Sequence, residues 1–191
     1  MLIVEGPDLV GNTTFAKILV SRLNETPQLR GRWMYSHLGL LPEGWDYLLD
    51  YIERADRFTV QDRYWLSEMA YGGGIKNKAR ISRDMLPFIT ARLTMLGAYT
   101  VLVTATPDAL RLLWDSSERE EHYTLSETLA ANAEFRHWVN EVDLHYELSC
   151  SDTLPSSNES LIENIVTSYI KRQRALDAFL SIERNGRMAR G

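Results

Sequence analysis

The stretch EGPDLVGNTT, residues 5–14, decides the fold of this chain. An apolar run at 2–4 stands directly before it, and apolar residues at helical spacing follow it. Gly6 and Gly11 are followed by Asn12 and two threonines, which is the layout G-x-x-x-x-G-K-[ST] with an asparagine in the place of the lysine. The stretch predicts a strand, an anion-binding loop and a helix, in that order.

The residue types of this loop suit phosphate. A glycine at position 11 lets the backbone approach an anion, the loop N–H groups point inward, and the helix N-terminus adds partial positive charge. Asn12 supplies no cation for the terminal phosphates. We expect a nucleotide-phosphate site at Gly6, Gly11, Asn12, Thr13 and Thr14, with Thr13 as a ligand of Mg²⁺. The alternative is a tight strand-to-helix turn in which glycine serves geometry and threonine caps the helix.

A second stretch, DRYWLSEMAYG at 62–72, begins at the carboxyl end of an apolar strand. Open α/β sheets bind ligands at that edge. Asp62 there could hold Mg²⁺, directly or through water, and Arg63 could clamp a phosphate. The alternatives are a carboxylate that caps a helix and an arginine on a solvated face.

Short apolar runs alternate with helical patterns along the chain, which predicts a parallel sheet covered by helices. The helical segment that starts at Tyr64 is expected to break at the glycines 72–74, and the charged stretch 116–123 is expected to be mobile. The basic remainder after the last helix could continue as helix before it frays. The predicted strands lie at 2–4, 33–37, 58–61, 99–104 and 144–148, and the predicted helices at 13–23, 45–52, 64–71, 82–97, 108–114, 125–139 and 159–171.

The composition is ordinary for a soluble protein, with 191 residues, 45% hydrophobic, 25% charged, a net charge of −5 and a pI near 5.4. The acidic balance argues against DNA as a partner but is compatible with a local basic groove. We expect one domain over 1–191, no membrane span, and a cytoplasmic protein. The single cysteine, Cys150, is interpreted as a structural residue at a strand end rather than a reactive thiol, and the scattered histidines lack metal-site spacing.

Taken together, the two stretches make the chain resemble the thymidylate kinase family, especially its phage-encoded relatives. The chain departs from the family loop at Leu9, where glycine is usual, and at Asn12. The family patterns E-G-x-D-G-x-G-K-T-T and D-R-[FYW]-x-x-S-x-x-A-Y are matched at Glu5, Gly6, Asp8, Gly11, Thr13 and Thr14, and at Asp62, Arg63, Tyr64, Ser67, Ala70 and Tyr71.

The resemblance implies a P-loop NTPase three-layer α/β sandwich, with a mostly parallel five-stranded sheet, helices on both faces and a short lid. By the same resemblance, Asp8 would contact the acceptor sugar, Arg63 the acceptor phosphate and Tyr71 the acceptor nucleoside. Thr13 with Asp62 would serve the metal. The implied cofactors are ATP and Mg²⁺, and the host cytoplasm is the implied location if the protein is phage-encoded.

The lid would be 116–123, ahead of a basic C-terminal tail at 176–191, and Arg119 is its catalytic candidate. Glutamates at 118, 120 and 121 surround Arg119, unlike the arginine-rich lids of the family. Other cations could replace the missing lysine. Lys17 is one candidate, although we expect it to point away along the first helix. A cluster of basic residues after the glycine run is another, although it could equally be a solvated loop. That cluster comprises Lys76, Lys78, Arg80 and Arg83, of which Arg80 is also a substrate-binding candidate.

Three functions fit these residues: an ATP-dependent kinase of deoxynucleoside monophosphates, a kinase acting on a modified nucleotide or a hydroxymethylated base in phage DNA, and a non-catalytic nucleotide-binding module. Trp45, Tyr64 and Trp65 could stack on a base, but their spacing favours the core. The apolar helix 85–96 could form a homodimer interface or could be a buried helix.

Overall fold

The structure, a computed structural model, describes residues 1–27, 29, 32–38, 47–76, 81–117, 123–139, 146–150 and 157–188. Strands and helices alternate along the described chain. The strands are β1 (Leu2–Glu5), β2 (Met34–His37), β3 (Thr59–Asp62), β4 (Tyr99–Ala105) and β5 (Tyr146–Cys150); the helices are α1 (Asn12–Glu25), α2 (Tyr47–Arg54), α3 (Trp65–Ser67), a π-helix (Glu68–Ile75), a 3₁₀ turn (Arg83–Met85), α4 (Leu86–Met95), α5 (Pro107–Asp115), α6 (Leu125–Val139) and α7 (Glu159–Met188).

The sheet has the order β2-β3-β1-β4-β5, and all its strand pairs are parallel. In this register Val4 pairs with Asp62, and His37 pairs with the same Asp62 from the other side. The carboxyl ends of β1, β2 and β3 therefore meet at one edge of the sheet. The predicted five-stranded parallel sheet is confirmed.

Helices cover both faces of the sheet. Side chains alternate along each strand, so Ile3 and Leu102 enter the core beneath α2, α3, α4 and α6, whereas Val4 and Val101 enter the core beneath α1, α5 and α7. The central strands are buried on both faces, as expected of a parallel sheet. The predicted three-layer α/β sandwich is confirmed.

The helix break predicted at the glycine run is wrong. The chain continues through Gly72-Gly73-Gly74 as a π-helix that ends at Ile75, where Lys76 N–H donates to Tyr71 O at 3.0 Å. Gly74 packs closely against α6, since a Cβ there would lie 2.5 Å from Glu134 Cγ and the Glu134 side chain would have to move. Gly74 thus permits a close helix contact, and the glycine run does not end the helix.

Two further elements extend past their predicted ends. The last strand runs from Tyr146 to Cys150 rather than ending at 148, and residue 144 lies outside the described residues. The C-terminal helix runs past 171 to Met188, so the predicted continuation of the basic tail as helix is confirmed for its described part. Asn158 starts this helix, since its Oδ1 accepts from Leu161 N–H at 3.0 Å.

The core assignment of the aromatic residues is confirmed for Tyr64 and Trp65, which are both buried, while Trp45 lies outside the described residues. The helix predicted at 82–97 is α4 with its 3₁₀ turn. It buries Ile89 and Leu93 but exposes Phe88 and Met95. Across the described ranges, no helix is both long enough and apolar enough to cross a bilayer.

Candidate functional site

The loop after β1 is held closely against its neighbours. Gly11 has φ 82°, and a Cβ on Gly6 would lie 2.2 Å from the carbonyl oxygen of Val103 on β4. Gly11, the N-cap of α1, has no side chain to cap the helix, and Thr13 and Thr14 behind it are exposed. A helix end of this kind favours an anion.

Asn12 does not point outward as a phosphate-reaching side chain would. Its amide nitrogen donates to Gly6 O at 3.0 Å and to Pro7 O at 2.9 Å, and the residue is buried. The amide therefore joins the first turn of α1 to the start of the loop. In this position Asn12 fixes the loop's shape and contributes no charge.

Leu9 adopts a left-handed backbone conformation with φ 74°. This region suits glycine and costs other residues about 1–2 kcal/mol. The position at which the chain departs from the family's glycine therefore keeps a glycine-like conformation.

Asp62, fully buried at the end of β3, collects three donors on one oxygen. Its Oδ2 accepts from Thr13 Oγ1 at 2.7 Å, from Tyr35 OH at 2.8 Å and from His37 Nδ1 at 3.0 Å. Burial acts to raise the pKa of Asp62, but these hydrogen bonds outweigh it and hold the pKa below its ordinary value. Burial and the bond to Asp62 raise the pKa of Tyr35 to about 12, so the phenol keeps its proton.

The Asp62 cluster suits a magnesium ion that keeps most of its water ligands. Asp62 Oδ1 is buried and has no hydrogen-bond partner among the described residues. The Thr13 hydroxyl donates its proton to Asp62, which leaves its lone pairs for a cation. No group of three His, Cys, Asp or Glu side chains in the described ranges could hold a metal alone, but Mg²⁺ at phosphate sites often uses only one or two protein ligands.

Asp8, Arg63 and Tyr71 form a second cluster at the same edge. Asp8 Oδ1 forms an ion pair with Arg63 Nη2, and Oδ2 accepts from Tyr71 OH at 3.0 Å. The Tyr71 hydroxyl also accepts from Asp8 N–H at 2.7 Å. Burial acts to lower the pKa of Arg63, but the Asp8 carboxylate outweighs it and raises the pKa, so the guanidinium stays charged. The structure thus brings together the three residues expected at the acceptor.

Glu5 connects the two stretches that carry these clusters. One carboxylate oxygen accepts from Tyr64 N–H and Leu66 N–H at 3.0 Å each. The other accepts from Ser67 N–H at 3.2 Å and Ser67 Oγ at 2.5 Å. The carboxylate therefore caps α3 from the end of β1. Burial raises the pKa of Glu5 to about 7, although the hydrogen bonds act to lower it.

Three residues of the site were not predicted from the sequence. Tyr35 and His37 stand two apart at the end of β2, so they share a face at the ligand-binding edge, and this spacing is a readable signal. The signal for Glu5 is a charged residue directly after an apolar run. The backbone of Arg63 could not be predicted either: its φ is 66°, and its N–H donates to Val4 O at 2.9 Å.

The candidate replacement cations lie in different places. Lys17 Nζ lies 5.3 Å from the centre of the Tyr35 ring, as a cation–π contact would place it. Lys76 Nζ lies over the Tyr123 ring, and the guanidinium of Arg83 lies over the Trp138 ring. The other candidates, Lys78, Arg80 and Arg119, lie outside the described residues.

Comparison with solved structures finds the fold again in the YorR protein of Bacillus subtilis, crystallised in complex with phosphorylated GDP. The two chains superpose with a TM-score of 0.62 at 18% sequence identity, over 88% of this chain and 92% of YorR. No family model matches the chain, and no curated protein sequence matches it. At this identity the likeness shows a shared fold, which confirms the predicted α/β fold.

The backbone at Leu9 gives a prediction about stability. Leu9→Gly should be more stable than Leu9→Ala by about 1 kcal/mol, because both remove the side chain but only glycine relieves the left-handed conformation. At positions inside helices and strands with negative φ, the alanine variant is the more stable of the two by about 0.5–1 kcal/mol. Urea unfolding of the two variants measures the difference. An alanine variant as stable as the glycine variant would contradict the strained backbone.

Glu5 gives a prediction about pH. Its pKa in the folded protein is about 7 against an ordinary 4.5, so its stabilising contribution is complete below pH 4.5 and is lost as the pH rises through 7. Between pH 5 and pH 8 the wild type should lose about 2–3 kcal/mol of unfolding free energy relative to Glu5→Gln. Glu163→Gln, at an exposed site of α7, is the control. Its unfolding free energy should vary with pH as that of the wild type does. Parallel pH curves for Glu5→Gln and the wild type would contradict a raised pKa.

Proposed function

We propose that this protein transfers the terminal phosphoryl group of ATP to a nucleoside monophosphate, as a kinase similar to thymidylate kinase. The observation that carries the proposal is the placement of two clusters at one sheet edge. The uncapped N-terminus of α1 with Thr13 and Asp62 suits the donor phosphates, and the Asp8–Arg63 pair lies beside it for the acceptor. The YorR protein, which shares the fold, was crystallised with a phosphorylated nucleotide, which is consistent with this proposal.

On the donor side, the loop supplies fixed dipoles. The N–H groups at the start of α1 would bind the β- and γ-phosphates, and the Asn12 amide would hold the loop in shape while charge moves. Mg²⁺ bound at Thr13 and Asp62 would neutralise charge on the phosphate oxygens. Phosphoryl transfer depends mainly on such positioning and electrostatic stabilisation, which this edge provides.

On the acceptor side, a monophosphate carries an oxygen that is already ionised, so no general base is required. Arg63 has several N–H donors, and it could bind the acceptor phosphate while Asp8 orients it. With a remaining lone pair, the Asp8 carboxylate would accept a hydrogen bond from a hydroxyl of the acceptor sugar. Tyr71 fixes Asp8 through both the main chain and the carboxylate.

A second candidate function is nucleotide binding without transfer. It is favoured by Asn12, whose amide is engaged with two loop carbonyls and leaves this position without a cation. Loss of one preorganised charged contact costs about 10²–10³ in rate, which slows a kinase without abolishing it. We therefore favour transfer.

The direct test incubates the purified protein with ATP, Mg²⁺ and each deoxynucleoside monophosphate in turn. A diphosphate product is expected with at least one acceptor, and turnover should be lost in Asp62→Asn, which keeps the shape but removes the charge. The absence of product with every monophosphate would contradict the kinase proposal. ATP that still raised the melting temperature would then support the binding module.

The role of Asn12 is tested by two substitutions. Asn12→Ala leaves two loop carbonyls unpaired and should weaken nucleotide binding and lower stability by about 1–3 kcal/mol. Asn12→Lys adds a cation but removes the same amide, so it should raise kcat by about 10²–10³ while it lowers stability as Asn12→Ala does. Rates and nucleotide-induced melting shifts should be measured for both. Undiminished nucleotide binding by Asn12→Ala would contradict the role of the Asn12 amide in holding the loop.

A further inference from the structure

Tyr71 of the acceptor cluster packs against a second aromatic ring, that of Tyr123. The rings of Tyr71 and Tyr123 have centroids 4.6 Å apart and planes tilted by 34°. A cation lies near each ring: Arg63 Cζ is 5.4 Å from the centre of Tyr71, and Lys76 Nζ is 4.7 Å from the centre of Tyr123. Ring pairs at this separation and cations over ring faces are both attractive arrangements.

The Tyr71 ring has little freedom in this position. Tyr71 is 4% exposed and Tyr123 is 8% exposed, and Phe135 meets the Tyr71 ring edge-on at 6.0 Å. The direction of the ring's long axis, from Cβ to the hydroxyl, decides where the Tyr71 hydroxyl lies. That hydroxyl lies 2.7 Å from Asp8 N and 3.0 Å from Asp8 Oδ2, so a tilt of this axis would disturb both bonds.

Tyr123 is itself held by the start of α6. Thr124 Oγ1 accepts from Glu127 N–H at 3.3 Å, and the Glu127 carboxylate accepts from Thr124 N–H at 2.8 Å and from Thr124 Oγ1 at 2.9 Å. This is a capping box, which fixes the chain direction just before the helix. The backbone directly after Tyr123, where the chain enters α6, is therefore fixed.

We propose that Tyr123 is a positioning residue for the acceptor site. Its ring holds the Tyr71 ring, and the Tyr71 hydroxyl in turn holds Asp8 beside Arg63. This inference rests on the proposed function, since it assigns the Asp8–Arg63 pair to the acceptor. Tyr123 does not contact that pair in the interactions described, and its effect passes through Tyr71.

The chain of contacts predicts a particular kinetic effect. Tyr123→Leu removes the ring pair and should raise the acceptor KM by roughly three- to tenfold, as the loss of one aromatic pair would. The donor KM should change less than twofold, because the Asn12 amide holds the rest of the loop independently. Tyr123→Phe keeps the ring and should restore most of the acceptor affinity. Phe179→Leu, an aromatic-to-leucine change at an exposed site of α7, is the matched control.

A double-mutant cycle tests whether the effect passes through Tyr71. In the Tyr71→Phe background, which lacks the hydroxyl, Tyr123→Leu should raise the acceptor KM no further. The proposal is overturned if the two KM effects multiply, if Tyr123→Phe is as impaired as Tyr123→Leu, or if Tyr123→Leu lowers stability with no change in the acceptor KM.

Calorimetric titration of the same proteins with ADP and with the monophosphates separates this proposal from the kinase proposal. If the wild type binds both ligands but transfers no phosphoryl group, only the kinase proposal is contradicted. The double-mutant cycle is then measured with the acceptor Kd in place of the acceptor KM. If the wild type is active but the Tyr123 and Tyr71 substitutions have KM effects that multiply, only the proposed role of Tyr123 is contradicted.

Discussion

The site depends on one buried carboxylate. Glu5 ends β1 and accepts hydrogen bonds from the N–H groups of Tyr64, Leu66 and Ser67, so the loop after β1 and the segment that carries Arg63 are fixed to each other. Without these bonds the donors at the start of α3 would be buried and unpaired, at about 1–3 kcal/mol each. The cost of burying the charge appears in the raised pKa of Glu5. An interaction at the end of one strand thus organises both clusters.

The loop separates two tasks that a lysine could combine. Asn12 holds the loop closed through two carbonyls, and the charge that a lysine would bring is absent at this position. In the proposed phosphate site, the phosphates would then rely on main-chain N–H groups, the helix N-terminus and a metal held at Asp62. Such a site can hold a nucleotide well while stabilising the moving phosphoryl group less.

The sheet and most helices could be predicted from the sequence, because apolar runs and helical spacing reflect burial directly. Asp62 could be predicted at the sheet edge because it directly follows an apolar run. The π-helix could not be predicted, since glycine usually interrupts helices and its close contact with Glu134 is a tertiary one. The direction of the Asn12 amide and the positive φ of Arg63 depend on neighbours distant in sequence.

Nucleotide binding at the start of α1 is tested best by a crystal structure with ADP or a non-hydrolysable ATP analogue and Mg²⁺. We expect phosphates at the N–H groups that open α1, the metal between Thr13 and Asp62, and the Asn12 amide still bound to Gly6 and Pro7. Nucleotide bound elsewhere at saturating concentration, or an Asn12 side chain turned out to the phosphates, would contradict this expectation.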